Sequence, residues 1–450
     1  MALKTTDNNY NASTRYLEQK AIIYFSSSNM LEITRDNYLV TSSVLEEAHA
    51  QSGSAPFGGV TSNELSLELL NEGGIFSPTN NKSPYYGLMK KGIKIELFIR
   101  PVVESENEDE QYEWDPLGVY YVTDWQAKVT GLIATVTAND KLYKAFSKDL
   151  TTLPISRNKT QKEFYEYIFD NLGLQGDIDK TLNTMIRYAY IDKSTKELLS
   201  TLNMSALADC FCMHDGTLKV QHLTNLGTTR ASISDSDQIL SANIEQALVF
   251  GYNGVNVTYN MPQESDVHNV LSLKDISIAK GTSTRNNISL TGTPLLKLCY
   301  SILRGIKARI TSLVANPVSI NITTVNEDET TDNCTINVFG TTLVNNEVTI
   351  GLETDNPLQI SNQYIQDDDY ARIVYNHLKA YVNNLLPILE LEVRGNPKFE
   401  LGEIIQADSN KYELHYTGIL IKQTFDYDGS LKSTITLLNT NILKEVGNGL

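Results

Sequence analysis

The residues best equipped for chemistry are Cys210, Cys212 and His214, two thiols and an imidazole close together in the chain. A thiolate beside an imidazole can act as nucleophile and base, and thiols with a histidine can hold zinc. The Cys-x-Cys-x-His spacing fits no standard zinc site. The thiols also follow an amphipathic run whose end would bury them, so a core role is expected. Cys299 lies in the apolar run LLKLCY and is read the same way. Glu390 and Glu392 have the two-residue spacing of one outward strand face, a solvated arrangement rather than an acid–base pair. The acidic run at residues 104–113 lacks the ligand spacing of a calcium loop and reads as a solvated hairpin tip. No phosphate loop, GxSxG elbow, HExxH or dinucleotide fingerprint occurs. No catalytic residue, metal site or cofactor is expected.

The elements that carry these residues are mostly strands. A chain of 450 residues suggests roughly three domains. Its 54 acidic residues against 37 basic ones leave a net charge of −17, which argues against wrapping around nucleic acid without excluding DNA passing by. Four cysteines without framework spacing point to folding in a reducing compartment. The N-terminal text has no apolar signal core, and no stretch approaches a membrane span, so synthesis in a cytoplasm without membrane insertion is expected. Twenty-four tyrosines, many in strand-like text, suit broad, partly wet contact surfaces.

In chain order, residues 1–20 read as a polar arm and 21–150 as a first β-domain. Its strands start at Ala21 and Tyr38, and Leu65, Leu67 and Leu69 alternate with polar residues. The long connection at residues 71–92 carries Ile75, Phe76, Tyr85, Tyr86 and Met89, and is expected to contact a neighbouring subunit. Residues 151–215 turn helical: Thr160 with Glu163 and Ser194 with Glu197 form capping boxes, and Gly173 supplies a stop. Residues 216–366 read as a β-rich middle domain, with a helix expected from Pro294 to about Arg309. Asp367, Asp368 and Asp369 open a linking helix over 367–387, ended by Pro387. Residues 388–450 form a second β-domain, for which strands near 216–260 are available as a complement.

Three segments of the first domain return in the last in the same order. Gly92-Ile93-Lys94-Ile95 matches Gly402-Glu403-Ile404-Ile405, Gly118-Val119-Tyr120-Tyr121 matches Gly418-Ile419-Leu420-Ile421, and residues 131–137 match residues 430–436. The fold class expected is α+β, mainly β, with two similar antiparallel β-barrel domains separated by helical and β-rich insertions.

The order of a strand, the turn Arg394-Gly395-Asn396-Pro397, the segment Leu401-Gly402-Glu403-Ile404-Ile405 and a hairpin at Tyr427-Asp428-Gly429-Ser430 resembles the terminal barrel of phage tail hub proteins. The passage from Met204 to Val220, with Asp215-Gly216 at its turn, resembles the helix-to-hairpin passage of the same family. The resemblance implies a non-enzymatic homotrimer at a virion tail tip or baseplate. It would meet the tail tube or distal tail protein on one face and a spike, fibre or tip protein on the other, with DNA passing through unbound. It marks Arg394, Gly395, Asn396, Pro397, Gly402, Asp428 and Gly429 as structural turn residues. Two other readings are open. One is a tail-associated peptidoglycan hydrolase scaffold. The other is a host-carbohydrate receptor module using its tyrosines and Trp114 or Trp125.

Overall fold

The computed structural model describes residue 10 and residues 15–52, 55–102, 112–127, 131–223, 229–234, 239–245, 251–291, 294–351, 354–384 and 388–440. The acidic run therefore lies outside the described residues except at 112 and 113, and Pro387 lies outside them too. Strands dominate, joined by four α-helices among the described residues: α1 (Lys141–Phe146), α2 (Gln161–Leu172), α3 (Thr195–Ala206) and α4 (Asp368–Asn384). None of these helices is long and apolar enough to cross a membrane.

A 13-stranded sheet forms the body. Its N-terminal part has the spatial order Leu39–Glu47, Glu64–Leu70, Ile133–Asn139, Asp115–Ala127, Lys94–Val102, Tyr16–Ser26, with Asn29–Thr34 at the far edge. Its C-terminal part runs Ile239–Glu245, Ile388–Val393, Leu431–Asn439, Leu414–Tyr427, Ile404–Ser409, Thr229–Ser234. Taken by sequence, both six-strand arrays visit their positions in the same order: first strand at one end, second at the other, then the same four inward steps. The first strand pairs antiparallel to Lys94–Val102 in one array, but its counterpart pairs parallel to Ile404–Ser409 in the other.

The likeness extends to single hydrogen bonds. Gly92 donates to Val122 O (2.7 Å), and Val122 donates back to Ile93 O (2.8 Å). Gly402 donates to Leu420 O and Leu420 to Glu403 O, both at 2.8 Å. Both glycines are left-handed, at φ +83° and +80°. Thr123 in one array and Ile421 in the other are then the bulged residues, each opposite a step ending at the equivalent Thr137 or Thr436. Two of the three sequence matches thus hold in register. The third does not: Tyr120 to Val122, not Gly118 to Tyr120, are equivalent to Gly418 to Leu420. A two-residue slip keeps the same in–out alternation, so side-chain pattern alone does not detect it.

Each array covers its own apolar core. Ile23, Leu65, Leu67, Leu97, Tyr120 and Val136 belong to one, and Leu389, Leu391, Ile405, Leu420 and Ile435 to the other. The two join where Leu414–Tyr427 runs past Ile404–Ser409: its last residues, paired on one side with Leu431–Asn439, pair on the other with Leu39–Glu47, Gln423 opposite Glu46.

The first strand begins five residues earlier than Ala21, at Tyr16, inside the expected arm. Gln19 holds a core-facing position there and breaks the apolar alternation, but it is buried because Ser42 donates to its side chain. Between the arrays, α1 to α3 and the hairpin Ala208–Cys212 and Leu218–His222 build a separate core. Both capping boxes form, and Gly173 ends α2 in the left-handed conformation. The chain from 254 to 362 leaves the C-terminal array between its second and third strands. It forms sheets around the long strand Asp332–Gly351 and around Ser319–Asn326. The helix expected from Pro294 is absent: Leu295–Arg304 and Ala308–Ala315 are strands. Leucine-rich text serves either state, and pairing with Asp332–Gly351 decides it.

Candidate functional site

The turn motif of the C-terminal array lies against several other parts of the chain. Gly395, left-handed at φ +72°, offers its carbonyl to Arg15 (2.8 Å), which also donates to Leu431 O (3.1 Å). Arg394 precedes it at the strand end. The Asn396 side chain accepts from Lys398 N (3.0 Å), turning the chain after Pro397. Lys398 then reaches Asp115 of the N-terminal array (2.5 Å), whose other oxygen accepts from the buried Tyr10 hydroxyl (2.8 Å). The Gly402 carbonyl accepts from Gln221 (3.0 Å) on the inserted hairpin. At the far turn Arg35 donates to Asp428 O, the Asp428 carboxylate caps Ser430 N (3.1 Å), and Gly429 is left-handed.

Behind this motif is a buried polar junction. His214 Nε2 meets Glu46 Oε2 at 3.0 Å, Gln423 Nε2 donates to the same oxygen at 2.6 Å, and Gln423 also donates to Phe399 O at 3.0 Å. Glu400 stands 3.9 Å from His214 Nδ1. Burial opposes the imidazolium, but Glu46, with Glu400 and the Pro397 carbonyl, outweighs it and raises His214 to about 9. The group ties together both arrays and the inserted hairpin, whose Gly216 sits against Val119.

His214 therefore faces carboxylates and not the thiols. Cys210 and Cys212 are buried in the helical core, and burial pushes the Cys210 thiol up to about 12. No cluster suited to a metal occurs among the described residues. Cys299, expected in a core, is exposed on Leu295–Arg304. Glu390 and Glu392 lie on strand Ile388–Val393, the latter accepting from Ser241 (3.3 Å). Trp125 is buried, donating to Phe76 O (3.0 Å), and the Trp114 ring is taken up by Lys20 (4.5 Å) and Arg100 (4.3 Å).

The connection at residues 71–92 folds back on its own array. Phe76 is fully buried, stacked on Tyr85 (5.5 Å) and edge-on to Tyr38 (5.1 Å), while Met89 is buried and Ile75 packs on the same core. Tyr86 alone of the five stays 54% exposed.

Gly402 tests the motif. A methyl there would strain the left-handed backbone and press on Gln221 and on Phe211 Cζ at 3.0 Å, so Gly402→Ala is expected to cost about 1–3 kcal/mol. Gly92→Ala, with the same backbone and nothing within 4 Å, is expected to cost about 1 kcal/mol. Urea midpoints of the two variants check the difference.

No protein-family model matches the chain, and no curated protein matches it. Solved structures do. The 43 kDa tail protein of prophage MuSo2 from Shewanella oneidensis is similar at 10% identity and a TM-score of 0.52, over 95% of this chain and 99% of that one. A tail protein from Neisseria meningitidis is similar at 8% identity and a TM-score of 0.52, over 95% of this chain and 98% of that one. At such identities the likeness is one of fold: this chain has, over nearly its whole length, the fold of two solved tail proteins.

Proposed function

We propose that the protein is a structural, non-enzymatic hub of a phage tail or a related injection apparatus, placed at the virion tail tip or baseplate. The observation that carries this reading is the duplicated six-strand array, with the same visiting order, the same left-handed glycine and the same bulge in both copies. A homotrimer of such chains presents six similar units, so one face can continue a six-fold tube while the other receives a three-fold spike, fibre or tip protein. Each array serves in this reading as a tube-like barrel, and the net charge of −17 suits a conduit through which DNA passes without specific binding. The shared fold with two tail proteins supports a tail role. The burial of Cys210 and Cys212, and of Trp125, weighs against the hydrolase and carbohydrate-receptor readings.

Negative-stain imaging of the concentrated protein tests the reading. Three-fold rings with six inner lobes around an open centre are expected. Protein that stays monomeric at every concentration would overturn it, and direct binding to host cells besides would favour a receptor role.

A further inference from the structure

One stretch of the inserted sheets carries charge unlike the rest of the chain. From Ile276 to Asn326 there are six cations, Lys280, Arg285, Lys297, Arg304, Lys307 and Arg309, and no carboxylate, so removing those six charges from the total of −17 leaves −23 on the remainder. Three of the six are engaged at one end, Lys280 with Glu329, Lys307 with Asp328 and Arg309 with Glu327. Arg285, Lys297 and Arg304 have no carboxylate partner among the described residues.

Lys297 and Arg304 bracket Tyr300 and Ile302 on strand Leu295–Arg304, and all four side chains are exposed. The Tyr300 ring lies stacked on Phe339 at 4.7 Å, which holds it flat on the sheet. Ile306, in the turn that follows, is 92% exposed. The strand is hydrogen-bonded along one side only, to Asp332–Gly351, and has no partner strand on its other side among the described residues. A long apolar edge strand left open is a template for association. Its cations select an acidic partner, and its exposed isoleucines select a protein surface over a fully solvated polyanion, which would leave them wet.

We propose that the edge strand Leu295–Arg304, with Tyr300 and Ile302 between Lys297 and Arg304, is a contact surface for the acidic body of a second copy of this chain. The proposal rests on the ring-forming reading above and assigns one of the surfaces that hold the ring together.

The test compares the full chain with an Ile302→Asp, Arg304→Glu double variant by sedimentation velocity at low and high salt. Both side chains are exposed, so the thermal midpoint of the variant is expected to stay near that of the wild type, which serves as the folding control. Wild-type association is expected to weaken as salt rises. The variant is expected to raise the dissociation constant about tenfold or more, the scale of a central interface residue. A variant that associates as tightly as the wild type would overturn this surface and leave the ring reading standing. Tighter association of the variant would also overturn it, by making the cations guards of the edge. A wild type that stays monomeric in all conditions would remove the ring reading, and this surface with it. Wild-type binding to anionic lipid vesicles without any self-association would give the surface to a polyanion instead.

Discussion

Replacing His214 with alanine is expected to destabilise the protein by about 3–5 kcal/mol, because it leaves Glu46 buried without its cationic partner. Gln423 still donates to Glu46, but a neutral amide does not replace an imidazolium. Replacing both members, His214→Leu with Glu46→Leu, is expected to cost less than the sum of the single changes, since no buried charge is then left alone. Strict additivity would mean that the two do not interact. Acidity gives an independent check. His214 is raised from 6.5 to about 9, so its contribution is fully present below about pH 6.5 and is lost as the pH rises through 9. Urea midpoints should therefore fall between pH 7 and pH 10 in the wild type by more than in His214→Ala. Equal falls would remove the ion pair from the account.

Much of the body was legible in the sequence, and what was hidden had a common cause. The alternation of Leu65, Leu67 and Leu69 and of Leu389, Leu391 and Val393 fixes strands locally, and these two runs occupy equivalent places in the arrays. The capping boxes and Gly173 are local as well, and so are the glycines at 92 and 402, where a left-handed backbone follows from residue type. Pairing partners are not local. The strand Leu295–Arg304 owes its state to residues some forty positions later, and the equivalence of Val122 with Leu420 shows only in which carbonyl each glycine meets. The polar junction is the extreme case, since Glu46 and Gln423 are adjacent across a sheet and 377 residues apart in sequence. A signal was present all the same. Glu46 follows Ser42 and Val44 at an inward position, and Gln423 falls between Ile421 and Phe425, so each puts a polar group where the alternation calls for an apolar one. Such a breach is stable only when another buried polar group meets it. His214 stands out in sequence for the cysteines two and four residues before it, and strand period alone would put it on their face; the turn that begins after Cys212 carries it to Glu46 instead.

The connection at residues 71–92 separates a structural from an assembly role by two substitutions. Phe76→Ala is expected to cost about 3–5 kcal/mol, because it empties the centre of a stack in which Phe76 touches Tyr38, Tyr85 and Trp125. Its backbone is also held, with Phe76 N donating to the Asn71 side chain (2.8 Å) and Phe76 O accepting from Trp125, so the loop cannot simply collapse into the space. Tyr86→Ser removes a ring that is mostly in water and is expected to change stability by no more than about 0.5 kcal/mol. Its value lies in assembly. If the connection contacts a neighbouring subunit, as its length suggests, Tyr86 is the member left to do so, and Tyr86→Ser should weaken association while the urea midpoint stays put. Loss of stability in Phe76→Ala with unchanged assembly in Tyr86→Ser would assign the connection wholly to its own array, as the cover over one end of the N-terminal core.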